Sequence, residues 1–278
     1  MPFIIRSTFW RWHLRIGFVT DEISANVEEA LTIGISWGIL DFELRVIGDK
    51  RVPSVDPGAV KQIIALQQKH DLRITALSPG VLKGTVHDEA LWQRELRETL
   101  PETFRLARLL DTKIVIVFGF QRSPQDVPAD ERKVVEIFRQ AARLAHQHGL
   151  ILAIENEPGF WCDTGVNTGR IIAQVNSPAL RANWDPGNAM GTNEPPYPDG
   201  YHALKQWIAN VHVKDTIKGS LVECVPVGEG KVDWQGQLRA LARDKVVEHV
   251  TIETHCLPLI ENSKKNLEVV RRLLAKVK

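Results

Sequence analysis

Short apolar runs recur along the chain. Each is closed by a polar or Gly/Pro break and followed by a segment whose apolar residues return at helical spacing. The runs are Arg15–Val19, Gly38–Arg45, Arg73–Leu77, Lys113–Phe118, Leu150–Ile154, Leu180–Asp185, Asn210–Lys214 and His249–Ile252. Their length suits strands, and their continuity suits strands buried on both faces. Ser24 caps the first helical segment, in which Val27, Ala30 and Leu31 share a face. Further helices are expected over 56–70 with Pro57 in the first turn, Asp88–Leu110, 130–148 with Gly149 as its stop, Thr168–Val175, Tyr201–Trp207, Trp234–Asp244 and Ser263–Val277. The Pro- and Gly-rich stretches 186–200 and 215–233 read as loops.

Alternation of buried strands with helices implies a parallel sheet covered on both faces. Eight such repeats in 278 residues imply an α/β fold closed into a (β/α)8 TIM barrel. A doubly wound open sheet is the competing arrangement. No linker or composition shift marks a second domain, so a single barrel domain spanning 1–278 is expected, with 1–14 as an N-terminal extension.

The strand period of two sorts the side chains of the later runs. Ala153, Glu155 and Glu157 share a face opposite Leu152 and Ile154. Arg181, Asn183 and Asp185 oppose Ala182 and Trp184, while His212 and Lys214 oppose Val211 and Val213. Thr251, Glu253 and His255 oppose Val250 and Ile252. The bulky apolar sets suit packing against outer helices, which turns the polar sets into the barrel. Parallel strands end at one mouth, so Glu155, Asp185, His212 and Glu253 should meet there despite their separation in sequence.

Composition narrows the function classes. A hydrophobic share of 44% and a formal charge of +1 describe a globular chain with no electrostatic reason to seek nucleic acid or an anionic membrane. Three cysteines, an odd number with no close pair, suit a reducing cytoplasmic compartment. The N-terminal residues lack the uninterrupted apolar core of a signal peptide, and no window is long enough to span a membrane.

Three carboxylates aimed at one interior point repel each other and lose hydration, and a divalent cation removes that conflict. Glu155, Asp185, His212 and Glu253 form a hard, oxygen-rich donor set. It favours Mn²⁺, Mg²⁺ or Co²⁺, with Zn²⁺ also compatible. Any one of the four, taken alone, reads as a solvated loop residue, a helix cap or a satisfied core histidine. The matching strand position and parity single them out together. His255, His202 and His87 have no comparable context and read as structural.

At these residues the chain resembles the xylose-isomerase-like sugar isomerase/epimerase superfamily of barrels. The marks are Ile154-Glu155-Asn156, Trp184-Asp185-Pro186-Gly187-Asn188, His212-Val213-Lys214-Asp215, the Gly228-Glu229-Gly230 turn and Ile252-Glu253. The resemblance implies that Glu155, Asp185, His212 and Glu253 bind the metal and that Glu155 and Glu253 are also the catalytic acid and base. Two positions depart from it: Asn188 stands where the epimerases usually have His, and Lys218 where they tend to have Arg. The loop Pro158-Gly159-Phe160-Trp161-Cys162 differs as well. A multi-zinc nuclease of the endonuclease IV kind would place histidines where Ser78, Gly119 and Asn188 stand.

The chemistry implied is proton removal beside a ketone of a sugar or sugar phosphate, with the cation polarising the carbonyl. One glutamate takes the proton to give an enediolate and the other returns it, to the opposite face or the neighbouring carbon. Lys214 is expected at the developing oxyanion, or else in a salt bridge with Glu43. Glu43, inward with Asp41 and Arg45, is expected to contact substrate, as are Asn188 and Lys218. Trp161 and Phe160 would form an apolar wall, and Gly228-Glu229-Gly230 would offer backbone N–H groups to a phosphate. A homo-oligomer joined through the Pro195–Tyr201 loop is a further expectation. Rival functions are a metal-dependent dehydratase of an inosose or related keto-polyol, and a non-catalytic sugar-binding barrel.

Overall fold

A computed structural model describes residues 14–217 and 223–277. The expected extension therefore lies outside the described residues, except for Leu14, which is buried. Eight parallel strands close into a barrel: β1 Arg15–Val19, β2 Asp41–Leu44, β3 Arg73–Leu77, β4 Ile114–Phe118, β5 Ile151–Glu155, β6 Leu180–Trp184, β7 Ile208–Val213 and β8 His249–Ile252. Neighbours follow chain order, and β8 returns to pair with β1, aligning Gly17 with Thr251. The expected (β/α)8 TIM barrel is the fold.

Helices α1 Val27–Ser36, α2 Pro57–His70, α3 Glu89–Arg94, α4 Leu100–Leu109, α5 Asp130–Gln147, α6 Gly165–Val175, α7 Pro186–Ala189, α8 Tyr201–Leu204, α9 Trp234–Asp244 and α10 Leu259–Ala275 surround it. Local chemistry sets several boundaries. Asp56 accepts from Gly58 N at 2.6 Å at the start of α2, and Thr164 accepts from Asn167 N at 3.0 Å at the start of α6. On α5, Val134, Phe138, Ala141 and Ala145 recur at helical spacing and are buried. Phe138 meets Phe120 edge-on, with centroids 5.8 Å apart.

Some expectations are corrected. The helix expected over Asp88–Leu110 is interrupted by a π turn at Glu95–Thr99, next to Pro101. Pro has no N–H to give the preceding turn, which favours such an interruption. The second strand begins only at Asp41, because Gly38 (φ +77°) ends α1. The 186–200 loop contains α7 and a π turn at Pro196–Gly200. In the 215–233 loop, Asp215–Thr216 pairs antiparallel with Cys224–Val225. The Pro195–Tyr201 segment expected as an oligomer contact is divided: Pro196, Gly200 and Tyr201 are buried, while Pro195, Pro198 and Asp199 are exposed.

The two faces of the strands divide as parity requires. Leu152, Ile154, Ala182, Trp184, Val211, Val213, Val250 and Ile252 are fully buried within the hydrophobic core. Trp184 hydrogen-bonds through Nε1 to Gln237 Oε1 on α9 at 2.9 Å, which satisfies its one polar atom.

Candidate metal centre

The ends of β5 to β8 bring Glu155, Asp185, His212 and Glu253 together, with one ligand-capable atom of each within 4.8 Å of all the others. All four are buried. Asp185 follows β6 directly and caps α7, accepting from Asn188 N at 2.9 Å through Oδ1. That leaves Oδ2 for the interior, where Lys214 Nζ lies 2.8 Å away. Gly187 is required in this turn, since a Cβ there would stand 2.7 Å from Lys214 Cγ. Asn156 locks the β5 and β6 ends by accepting from Asp185 N at 2.8 Å and donating to Asp185 O at 2.9 Å.

His212 is oriented from below. Its Nε2 lies 3.0 Å from Glu43 Oε2, and a carboxylate there accepts the Nε2 proton. Nδ1 then faces the acids, 3.4 Å from Glu253 Oε2 and 3.6 Å from Glu155 Oε1. A second carboxylate fixing the tautomer is the usual support of a metal-binding imidazole. Asn210 donates to the same Glu43 oxygen at 3.3 Å.

Cations hold the acids charged. Lys214 Nζ bridges Asp185 and Glu253 at 2.8 Å each. Arg45 Nη1 lies 2.6 Å from Glu253 Oε1, and its Nη2 2.6 Å from Glu22 Oε1. Burial works against the charged form of Glu253, yet Lys214, His255 and His212 hold its pKa well below the ordinary range. Burial likewise opposes ionisation of Glu155, and His212 outweighs it, leaving the pKa lowered. Asp185 goes the other way: burial pushes its pKa up, against the pull of Lys214. Burial disfavours the His212 imidazolium, but Glu43, Glu253 and Glu155 raise its pKa well above normal. A divalent ion would compete with that proton. Three carboxylates and an imidazole with its own carboxylate support suit such an ion.

Above this ring opens a cavity of about 350 Å³, lined by Arg45, Arg51, Ser78, Lys83 and Phe118 together with the acids Asp21 and Glu157. Asn188 lies on its wall and donates to Glu155 Oε1 at 3.2 Å. Several expected contacts stand elsewhere. Glu43 is fully buried beneath His212 and is not on the cavity wall. Trp161 is buried away from it, with the Arg122 guanidinium 4.1 Å over its ring. Phe160 meets the cavity-lining Phe118 with centroids 6.2 Å apart. Lys218 lies outside the described residues. Lys214 pairs with Asp185 and Glu253 rather than with Glu43. The Gly228–Gly230 turn is not open to a phosphate. Asp215 takes Gly228 N at 2.8 Å and Val232 N at 3.1 Å, and accepts from Gly230 as well.

Residues not singled out from the sequence join the site. His255, read as structural, places Nε2 3.1 Å from Glu253 Oε1 and Nδ1 3.1 Å from Glu22 Oε1. Its parity with Glu253 was the available signal. Arg51 ends a two-residue strand, Lys50–Arg51, paired antiparallel with Val46–Ile47, and Lys83 lies in a loop; neither stretch is long enough for strand period to be read.

A closed parallel barrel with an acid-rich ring at the C-terminal ends of its strands defines the class. The chain belongs to the xylose isomerase-like TIM barrel family, whose model matches residues 35–273. A 3-dehydroshikimate dehydratase of Bacillus anthracis is 27% identical over 111 residues, which is 40% of this chain and 39% of that relative. The chain thus matches well under half the length of that relative. The solved structure of a probable enzyme of the same kind from Bacillus anthracis has a TM-score of 0.79 at 18% identity, covering 93% of this chain and 99% of that one. The IOLI protein with a bound zinc atom has a TM-score of 0.79 at 18% identity, covering 95% and 99%. A D-allulose 3-epimerase from Methylomonas sp., solved with D-allulose, has a TM-score of 0.74 at 16% identity, covering 94% and 97%.

Proposed function

We propose that this chain is a divalent-metal-dependent isomerase or epimerase of a small polyhydroxylated ketone, a sugar or sugar derivative. The observation that carries the reading is the convergence of Glu155, Asp185, His212 and Glu253, two of which, Glu155 and Glu253, line a cavity. Glu155, Asp185, His212 and Glu253 would hold the ion, Mn²⁺, Mg²⁺ or Co²⁺ by preference and Zn²⁺ by compatibility. When bound, the ion supplies Lewis-acid polarisation of the substrate carbonyl.

The protein's own residues do the rest. Glu155 and Glu253 come from β5 and β8, on different sides of the ring, so each can reach a different face of a bound ketone. One removes the proton and the other returns it. Lys214, 2.8 Å from both Asp185 and Glu253, supplies a fixed positive charge for an oxygen that becomes negative. Asn188 orients Glu155 through its amide. Among the described residues no helix is long and apolar enough to cross a membrane. The cytoplasmic reading rests on the odd number of cysteines.

A second reading, a dehydratase, is favoured by the 27% identity to 3-dehydroshikimate dehydratase. The same proton removal then expels a β-hydroxyl. Metal analysis, followed by NMR of ketoses, inososes and 3-dehydroshikimate in D₂O, tests both. C–H exchange without loss of water identifies isomerisation, and loss of water identifies dehydration. Glu155→Gln and Glu253→Gln should each abolish exchange. Wild-type exchange in either variant would end the two-glutamate scheme, and ligand binding without exchange would leave a sugar-binding barrel.

A further inference from the structure

Five basic side chains line the cavity, and four are already matched. Arg45 meets Asp21, Glu22 and Glu253. Lys214 meets Asp185 and Glu253, Lys83 meets Glu157 at 3.2 Å, and His255 meets Glu22 and Glu253. Arg51 differs. Its Nε donates to Ser78 O at 2.9 Å and its Nη2 to Ser78 Oγ at 3.2 Å, both neutral acceptors. No carboxylate among the described residues pairs with it, and residues 1–13 and 218–222 contain no Asp or Glu.

The position of Arg51 is built. Gly80, at φ +77°, passes so close that a Cβ there would stand 2.8 Å from Arg51 Nε and 3.0 Å from Cζ. The Ser78 contacts and the bare Gly80 backbone clamp one edge of the guanidinium. Of its five N–H groups, two are used at Ser78 and three are left over. Burial and the neighbouring Arg45 work against its charge and outweigh the more distant pull of Glu155, Asp21 and Glu253, so its pKa is lowered. A half-buried cation with spare donors, repelled by its neighbour and with no carboxylate in ion-pair contact, is complementary to an anion.

We propose that Arg51 is a specificity residue that receives an oxyanion of the substrate, so that the natural substrate is a charged polyol, a sugar acid or a sugar phosphate, rather than a neutral sugar. This rests on the cavity being the substrate site of the proposed enzyme. Lys83, on the same wall and 4.2 Å from the Phe118 ring, is already held by Glu157, which leaves Arg51 as the cation with donors to spare. The planar fork of Arg51 suits a carboxylate or a phosphate. Its distance in role from the acid ring leaves the ring free for the ketone.

The test is binding without turnover. Mn²⁺-loaded wild type, Arg51→Gln and Arg51→Lys are titrated calorimetrically with D-glucitol, D-gluconate and D-glucitol 6-phosphate. Wild type should bind at least one of the two anions about tenfold or more tightly than neutral glucitol, as a charged hydrogen-bonded pair requires. Arg51→Gln should erase that preference to within about threefold, and Arg51→Lys should retain part of it, since charge survives and the fork does not. A gluconate-only preference assigns a carboxylate, and a phosphate-only preference assigns a phosphate. Equal affinity of wild type for neutral and charged polyols overturns the proposal. So does a preference that persists in Arg51→Gln, because the metal would then be its source. If Arg51→Gln folds poorly, Arg51→Met, equally uncharged, takes its place with the same expected loss of preference. No C–H exchange is read here, so failure of the proton-transfer reading leaves this result interpretable, and the reverse holds as well.

Discussion

Asp41 and Glu43 stand two residues apart on β2 and face the same interior, yet their surroundings differ. Asp41, at the base, accepts from Arg73 Nε at 2.7 Å and Nη2 at 3.0 Å, and from Arg15 Nε at 3.1 Å. Burial alone would raise its pKa, but the two guanidinium groups bring it below the ordinary value. Glu43, two residues higher on the strand, meets only His212 and Asn210 among the described residues, and none of these hydrogen-bonds its Oε1. Above it the acids of the ring share Lys214 and Arg45 rather than owning a cation each. The base balances its charge locally and closes the barrel. The mouth is left acid-rich, which is a poor arrangement for stability and a good one for a cation.

Removing an acid should therefore have opposite meanings at the two ends. Asp185→Asn takes one ligand from the ring. Metal content, measured by elemental analysis, should fall from near one ion per chain to background. Exchange activity should fall on the order of 10³-fold, the equivalent of several kcal/mol of lost charge stabilisation. Full metal content in this variant would break the comparison. Asp41→Asn should do the reverse, leaving metal content unchanged and destabilising the fold. Arg15 and Arg73 side chains are 38% and 44% exposed, so water rehydrates them once freed. The expected loss in urea unfolding is about 2–3 kcal/mol, below the roughly 3–5 of a fully buried pair.

Glu43→Gln sharpens the boundary between the ends. Gln still accepts from His212 but carries no charge, so the imidazole becomes a weaker ligand. Metal affinity should drop about 10–100-fold with little change in thermal stability. An unchanged affinity would place Glu43 with the structural base rather than with the site.

The strand ends were legible because two periodicities agreed there. Alternation put Glu155, Asp185, His212 and Glu253 on the inner face, and the parallel barrel put them at one mouth. Glu43 shared that parity, but its depth did not show in sequence. Height along a tilted strand depends on register, and β2 shifts register against β3 between Phe42 and Glu43. Trp161 misled for the opposite reason. A loop aromatic beside a metal ligand suggests a substrate wall, whereas the ring is buried under Arg122. The Gly228–Gly230 turn offered N–H groups that Asp215, far off in sequence, had already taken. Arg51 was invisible because its place depends on Ser78 and Gly80, in a loop with no period to read.

The base has one group that resists charge instead of balancing it. His249 opens β8 beside Asp41, Arg15 and Arg73 and is 8% exposed, with Nε2 unpartnered among the described residues. Burial pushes its pKa down to about 4 despite the opposing pull of Asp41. An unfolded chain would protonate it near its ordinary value of about 6.5. Between those values the unfolded state binds a proton that the native state refuses, so stability rises with pH across that window. The contribution is complete above about 6.5, shrinks as pH falls towards about 4, and levels off below. Local opening of the base lets in water and reduces the full linkage value, so about 1–2 kcal/mol is expected. Urea unfolding of wild type and His249→Gln from pH 7 to 4 reads it directly: the wild-type curve should fall more steeply. Parallel curves would mean that the base tolerates an imidazolium, and that both ends of the barrel, not only the mouth, can accept an added positive charge.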